Sequence, residues 1–142
     1  MVHRYFTLQE ARTLLPKVKL HLEKIIALHD EVLALSGVKV HAEQMDLTAH
    51  ILAININKRF HELSFKYYAE LEALTKLGVH VKDSQQGVVD FYSKLGEKDI
   101  MLCWQVDEED ILHYHSEEDG FSGRKSIQEV QKQLAKEIET LR

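Results

Sequence analysis

The chain has 142 residues, of which 44% are hydrophobic and 29% are charged. This composition indicates a globular protein and argues against intrinsic disorder. A formal net charge of −5 provides no electrostatic basis for binding nucleic acid or anionic lipid. One cysteine, no apolar signal segment and no bilayer-spanning apolar stretch predict a cytoplasmic protein. We therefore expect a single domain over residues 1–142.

The first predicted element is a long helix over residues 7–36. Thr7 and Glu10 have the spacing of a capping box at its start. Apolar residues then recur every three or four positions, as on one face of a helix. Gly37 follows the last of them, so we expect the helix to end there.

A second, longer helix is predicted over residues 41–77. Its apolar positions form a wide stripe. The central members of that stripe are Met45, Ala49, Leu52, Ile56, Phe60, Leu63, Tyr67, Leu71 and Leu74. The short link between the two helices predicts an antiparallel hairpin. The width of the stripe predicts that one side packs on the first helix while another contacts a sheet or a second subunit.

After Gly78 the apolar period changes from 3.6 to 2, which indicates strands. Residues 79–115 are therefore predicted to form a three-stranded antiparallel β-meander. Ser126 and Glu129 repeat the capping-box spacing and open a C-terminal helix over residues 126–141. The predicted fold class is α+β: a long antiparallel helical hairpin packed on the meander, with the C-terminal helix completing the cover.

The turn between the second and third strands sets which residues share a face of the sheet. A four-residue loop at 107–110 pairs Trp104 with His113 and Leu102 with His115. Both histidines then lie on the same face as Trp104.

The turn between the first two strands decides where Asp90 lies. Pairing Tyr92 with Ile100 places Asp90 on the histidine face, beside Leu102. Asp90 and His115 are then about 10 Å apart, which is two strand spacings. A slip of one residue would move Asp90 to the opposite face.

The histidines at alternate positions of one strand have the spacing of metal ligands. His113 and His115, with Glu117 or Asp90 as a third ligand, would hold zinc or another divalent metal and leave an open coordination position. The alternative is a pair of edge imidazoles that meet water and nearby carboxylates.

The glycine-containing segment before the last helix suits a small anion. Gly120 and Gly123 allow close backbone approach, and Arg124 supplies positive charge next to a helix N-terminus. In the alternative interpretation this segment is a turn in which Arg124 pairs with one of the acidic residues 117–119.

Several segments together resemble the family of small bacterial and archaeal proteins known as domain of unknown function 2203. They are Tyr5–Ala11 with Leu14-Leu15-Pro16, Val81-Lys82-Asp83, Gly87–Phe91, Leu102-Cys103-Trp104, and His115 followed by Gly120-Phe121-x-Gly123-Arg124. The resemblance covers nearly the whole chain. It implies the extent of the domain and the residues worth testing, but no reaction.

Two functions of different class fit these observations. We favour a non-enzymatic interaction or assembly protein that self-associates, as a homodimer, through its helical stripe. The alternative is a small enzyme or ligand-binding protein that binds a divalent metal such as zinc, or a small anion, through Asp90, Trp104, His113, His115 and Arg124. Whether the protein is an enzyme stays open at this stage.

Overall fold

The computed structural model describes residues 4–38 and 46–140. Its helices are α1 (Leu8–Ser36), α2 (Leu47–Lys76) and α3 (Gln128–Thr140), and its strands are β1 (Val79–Asp83), β2 (Val88–Leu95), β3 (Lys98–Gln105), β4 (His113–Ser116) and β5 (Lys125–Ser126). The strands form one antiparallel sheet in chain order. The predicted α+β class is confirmed.

The start of α1 is the predicted capping box. The Thr7 hydroxyl accepts a hydrogen bond from the Glu10 amide at 3.1 Å, and the Glu10 carboxylate accepts one from the Thr7 amide at 2.9 Å. Two of the free amides at the helix N-terminus are thereby satisfied, so the helix begins one residue after Thr7.

The helix α2 begins later than the predicted residue 41. Residues 39–45, with the predicted helix start and Met45, lie outside the described residues. Asp46 is the N-cap: its backbone is extended, and its carboxylate accepts a hydrogen bond from the Ala49 amide at 2.8 Å. At the other end, Gly78 has a positive φ of 90° and turns the chain into β1.

The sheet has two more strands than the three predicted. The predicted strands are its centre, while β1 and β5 extend the two edges. Because Ser126 belongs to β5, the C-terminal helix begins at Gln128 rather than at 126. The Ser126 hydroxyl accepts from the Gln128 amide at 3.3 Å, whereas the Glu129 carboxylate accepts from the Tyr114 hydroxyl instead of closing a capping box.

The predicted register between β3 and β4 was wrong by one residue. Cys103 pairs with His113 and Met101 with His115. The cause lies in the loop, which closes on itself. The Gln105 amide donates to the Glu108 carboxylate at 2.8 Å, and the Glu108 amide donates to the Gln105 carbonyl at 2.9 Å. Strand pairing therefore resumes only at His113.

The predicted register between β2 and β3 was also wrong by one residue. Tyr92 pairs with Met101, and Asp90 pairs with Cys103. The connection is a two-residue loop whose first residue, Gly96, has φ +63°. A type II′ hairpin turn needs a glycine at that position, and this turn fixes the register of both strands.

The two faces of the sheet differ in character. The face towards α1, here the helix face, contributes the aliphatic and aromatic core residues Val79, Val89, Phe91, Ile100, Leu102, Trp104 and Tyr114. The opposite face, here the outer face, carries His80, Asp90, Tyr92, Met101, Cys103, His113 and His115. Polar chemistry is therefore concentrated away from the helical hairpin.

Candidate functional site

Three ionisable side chains lie buried together on the outer face. Asp90 and Cys103 are 0% exposed and His115 is 2% exposed. They come from the three central strands: Asp90 and Cys103 are cross-strand partners, and His115 lies diagonally across from them. Buried ionisable groups cost folding free energy unless they are paired, so three of them in contact form the strongest candidate for a functional site.

Hydrogen bonds orient the imidazole of His115. Its Nδ1 lies 2.7 Å from the carbonyl oxygen of Ser116, and its Nε2 lies 3.0 Å from Oδ1 of Asp90. A carbonyl only accepts, so Nδ1 carries a proton. Nε2 is thereby directed at Asp90.

The second carboxylate oxygen of Asp90 has no hydrogen-bond partner, although it is fully buried. The nearest cation is Lys82, whose Nζ lies 3.9 Å from Oδ2. That distance allows electrostatic attraction but exceeds a hydrogen bond. A buried carboxylate oxygen without a partner is rare in folded proteins, and a site that binds a cation is one physical reason for it.

The thiol of Cys103 is held in its neutral form. Burial raises its pKa to about 12, the negative charge of Asp90 acts in the same direction, and Arg124 opposes both. At neutral pH the side chain is therefore a thiol rather than a nucleophilic thiolate. This argues against cysteine-based covalent catalysis by the protein in this state.

The trio has the composition of a transition-metal site. The ligand atoms of Asp90, Cys103 and His115 all lie within 4.8 Å of one another, and they are the one such group among the described residues. The predicted metal set shares His115 with it, and also Asp90, which was one of the two alternative third ligands. His113 instead lies beside Glu108, with Nδ1 3.3 Å from the carboxylate, and Glu117 is exposed.

Arg124 is part of an ion pair at the edge of this cluster. Its guanidinium donates to the Glu108 carboxylate at 2.6 Å and lies over the ring of Phe121 at 4.7 Å. Both members of the ion pair are about five-sixths buried. The alternative prediction that Arg124 forms an ion pair is therefore confirmed. Its predicted partners were wrong, because the partner is Glu108 and not one of residues 117–119. An added anion would have to displace that carboxylate.

Local backbone geometry explains why positions 120 and 123, both predicted as site residues, are glycines. Gly120 has φ 65° and ψ −163°, a region that residues with a side chain rarely enter. A Cβ atom at Gly123 would collide with Cβ of Asp119. Both glycines shape the turn that delivers Arg124 to Glu108.

Trp104 does not lie with the histidines as predicted. The one-residue shift in register places it on the helix face, where it is 2% exposed and part of the core. Its indole Nε1 donates to the Glu108 carbonyl at 3.0 Å. The predicted arrangement of Trp104 with His113 and His115 around one spot was therefore wrong.

Sequence analysis missed two residues of this region. Neither Cys103 nor Glu108 was among the predicted site residues. The alternation of Met101 and Cys103 with Leu102 and Trp104 signals two faces, but only the register shows which face carries the histidines. No local pattern distinguishes Glu108 from the acids beside it.

A second candidate surface lies on α2. A row of exposed side chains, here the α2 seam, follows alternating steps of four and three residues. It consists of Leu47, Ile51, Ile54, Lys58, His61, Phe65 and Tyr68. Leu47 and Phe65 are 77% and 76% exposed. An apolar row this exposed marks an interaction surface.

The α2 seam lies on the side of the helix away from α1. Each residue of the row that contacts α1 comes two positions after a residue of the seam. Two positions correspond to a rotation of about 200° around the helix axis, so the two rows lie on nearly opposite sides. The row that contacts α1 includes Glu70, whose carboxylate lies 2.5 Å from His21, and Tyr67, whose ring lies 6.1 Å from the ring of His29. The helix thus has two apolar faces, and α1 covers only one of them.

Within the described ranges, no helix combines the length and apolar character needed to cross a membrane. Comparison with curated proteins and with solved structures gave no significant match. A family model described as "Uncharacterized conserved protein (DUF2203)" matches residues 4–127, which include both helices of the hairpin and all five strands. The chain therefore belongs to the DUF2203 family.

Proposed function

We propose that this protein is a homodimeric assembly module, in which the α2 seam of one copy packs against the α2 seam of a second. The observation that supports this is the exposed apolar row on the face of α2 opposite to α1. A helix that is apolar on two faces typically buries both of them against other elements.

The spacing of the seam specifies the kind of partner. Alternating steps of four and three residues form a heptad pattern, the spacing that packs one helix along another. A flat sheet or an irregular loop would not require this spacing. The partner surface is therefore a helix of similar length.

The seam is complementary to itself in the antiparallel orientation. Pairing Ile51 with Tyr68 of the second copy also pairs Ile54 with Phe65, which makes two apolar layers on each side of the two-fold axis. The central layer pairs Lys58 with His61. A second copy of this chain therefore fits the seam without any further feature.

Charge disfavours the parallel orientation. In a parallel dimer Lys58 would face Lys58 of the second copy inside the interface, and like charges there cost free energy. The antiparallel pairing separates the two ammonium groups. We therefore propose an antiparallel α2–α2 dimer.

Size-exclusion chromatography with light scattering tests the proposal. The parent protein is expected to have twice the 16.5 kDa mass of the chain. Phe65→Glu buries a charge in the dimer and is expected to give a folded monomer. Leu52→Glu is the matched control, because Leu52 is 56% exposed on α2 but lies off the seam, and this variant should stay dimeric. A monomeric parent at micromolar concentration would overturn the proposal.

The proposal also takes the protein to be cytoplasmic, with neither nucleic acid nor a membrane as its partner. A free thiol buried in the core is compatible with a reducing compartment. The net charge of −5 supports the exclusion of polyanionic partners.

A further inference from the structure

The buried trio on the outer face has a capacity that dimerisation through α2 does not use. Asp90 Oδ2 is fully buried without a hydrogen bond, and it belongs to the same side chain that meets His115 and Cys103. The trio therefore combines an unsatisfied acceptor with two further ligand-type atoms.

We propose that Asp90, Cys103 and His115 bind one divalent cation of the zinc class, through the carboxylate, Sγ and Nε2. Ligand atoms on a tetrahedral zinc at 2.0–2.3 Å are roughly 3.3–3.8 Å apart. The three atoms here already lie within 4.8 Å of one another. Closing around a cation thus requires side-chain movements of about an ångström, not a change of fold.

The hydrogen bond from His115 to Ser116 prepares the imidazole for this role. Metal-binding histidines typically donate their second ring N–H to a carbonyl or carboxylate, which fixes the tautomer and the ring orientation. Nδ1 of His115 makes this bond to the Ser116 carbonyl at 2.7 Å. Nε2 is left as the ligand atom, and it already contacts the carboxylate of Asp90.

Charge balance favours a dication in this buried space. Without a cation, Nδ1 of His115 carries a proton and a second proton lies between Nε2 and Oδ1 of Asp90, so these two side chains and the Cys103 thiol together sum to zero charge. With metal, a carboxylate, a thiolate and a neutral imidazole carry −2, which a dication neutralises. Binding releases two protons, one from the thiol and the one between Nε2 and Asp90.

The ligand set also selects the cation. A thiolate and an imidazole favour zinc or cobalt over magnesium and calcium, which prefer oxygen ligands. Three protein ligands leave the fourth tetrahedral position for water or a small ligand. Lys82, which is 44% exposed and lies next to Asp90, marks the solvent side of the site.

Cobalt titration of untagged, EDTA-stripped protein tests the proposal. We expect one Co²⁺ per chain, with a sulfur-to-cobalt charge-transfer band in the near ultraviolet that zinc abolishes by displacement. Cys103→Ser should remove the band, and Asp90→Asn or His115→Gln should weaken binding by at least about tenfold. His113→Gln is the matched control and should bind as the parent does, because His113 pairs with Glu108 outside the trio.

Several outcomes would overturn the proposal. They are the absence of the sulfur band in the parent protein, binding that survives Cys103→Ser, and binding that His113→Gln removes. The measurement on the parent does not depend on whether a variant folds, and circular dichroism identifies any variant that does not. Calorimetry in two buffers of different ionisation enthalpy should report the release of about two protons. None of these results depends on the α2 seam.

Discussion

Nε2 of His115 lies 3.0 Å from Oδ1 of Asp90 although β3 separates their two strands. The two side chains meet over β3, beside Cys103. Because Nδ1 of His115 donates to the Ser116 carbonyl, hydrogen bonds hold the imidazole at both of its nitrogens. This contact links three strands on a face that α1 does not cover.

Removing the charge of Asp90 should destabilise the metal-free protein. Asp90→Asn replaces the buried carboxylate that His115 contacts with a neutral amide, and removing one partner of a buried ion pair typically costs about 3 kcal/mol or more of unfolding free energy. Urea denaturation in EDTA measures this change. Glu72→Gln, which breaks the exposed pair with Lys76, should leave the urea midpoint unchanged. Equal midpoints for both variants would contradict the buried ion pair.

Stability should fall at alkaline pH. Folding raises the pKa of Cys103 from 9.0 to about 12, so the unfolded chain loses this proton first as the pH rises. The stabilisation is complete below about pH 8 and is lost as the pH rises from 9 towards 12, by up to about 1.4 kcal/mol per pH unit.

Tyr114 would contribute in the same pH range, because burial and the hydrogen bond to Glu129 raise the pKa of its hydroxyl from 10.0 to about 12. A Cys103→Ala variant separates the effect of the thiol from that of Tyr114. The variant should show a shallower decline in the same denaturation series, with the tyrosine contribution left. Parallel curves for parent and variant would show that the thiol does not contribute.

Substitution of either turn glycine, Gly120 or Gly123, should destabilise the protein, whereas substitution of Gly37 should not. Gly120→Ala forces a side chain into a glycine-only backbone region, at a cost of about 1–3 kcal/mol. Gly123→Ala should also lower the melting temperature, because its methyl group would collide with Asp119. Gly37→Ala is the control, since Gly37 has a helical φ of −80° and no atom within 3.5 Å of an added Cβ. A melting temperature lowered equally by all three would refute the conformational argument.

Glu108 should matter more than the acids around it. Glu108→Ala removes the partner of Arg124 and a loop-closing bond to Gln105, which we expect to cost about 2–3 kcal/mol of unfolding free energy. Glu109→Ala removes an exposed neighbour and should have little effect on the same denaturation curve. Comparable losses would mean that the loop acids act only through their summed charge.

Disulfide trapping should reveal the orientation of the proposed dimer. In a Cys103→Ala background, antiparallel α2 helices bring Ile51→Cys of one copy against Tyr68→Cys of the other. A mixture of the two single variants should therefore form a cross-linked heterodimer under mild oxidation, while each variant alone should not. Cross-linking of each variant with itself would indicate parallel helices instead.

Much of the fold could be predicted because its signals are local. The capping box at Thr7 and Glu10 and the apolar period of three to four residues identify α1 without reference to the rest of the chain. The change of period after Gly78 identifies the sheet. The short strand β5 was harder to predict, because two residues carry little periodic signal of their own.

The candidate site was predicted only in part. The prediction that Asp90 and His115 share a face is confirmed, but only because the two errors in strand register cancel. Both hairpin registers were shifted by one residue, so Asp90 and His115 still share a face in the structure. Trp104 belongs to the strand between them, and the shift moved it to the opposite face. Cys103 took its place.

The order of residues by itself determined the α+β class, the helical hairpin and the wide apolar stripe on α2, since periodicity along one helix or strand is a property of neighbours in sequence. Only the tertiary structure decided which side chains meet across the sheet. Register depends on how two loops close, through the glycine at 96 and the bonds between Gln105 and Glu108. A shift of one residue exchanges the two faces of a strand, and so replaces Trp104 with Cys103 beside His115.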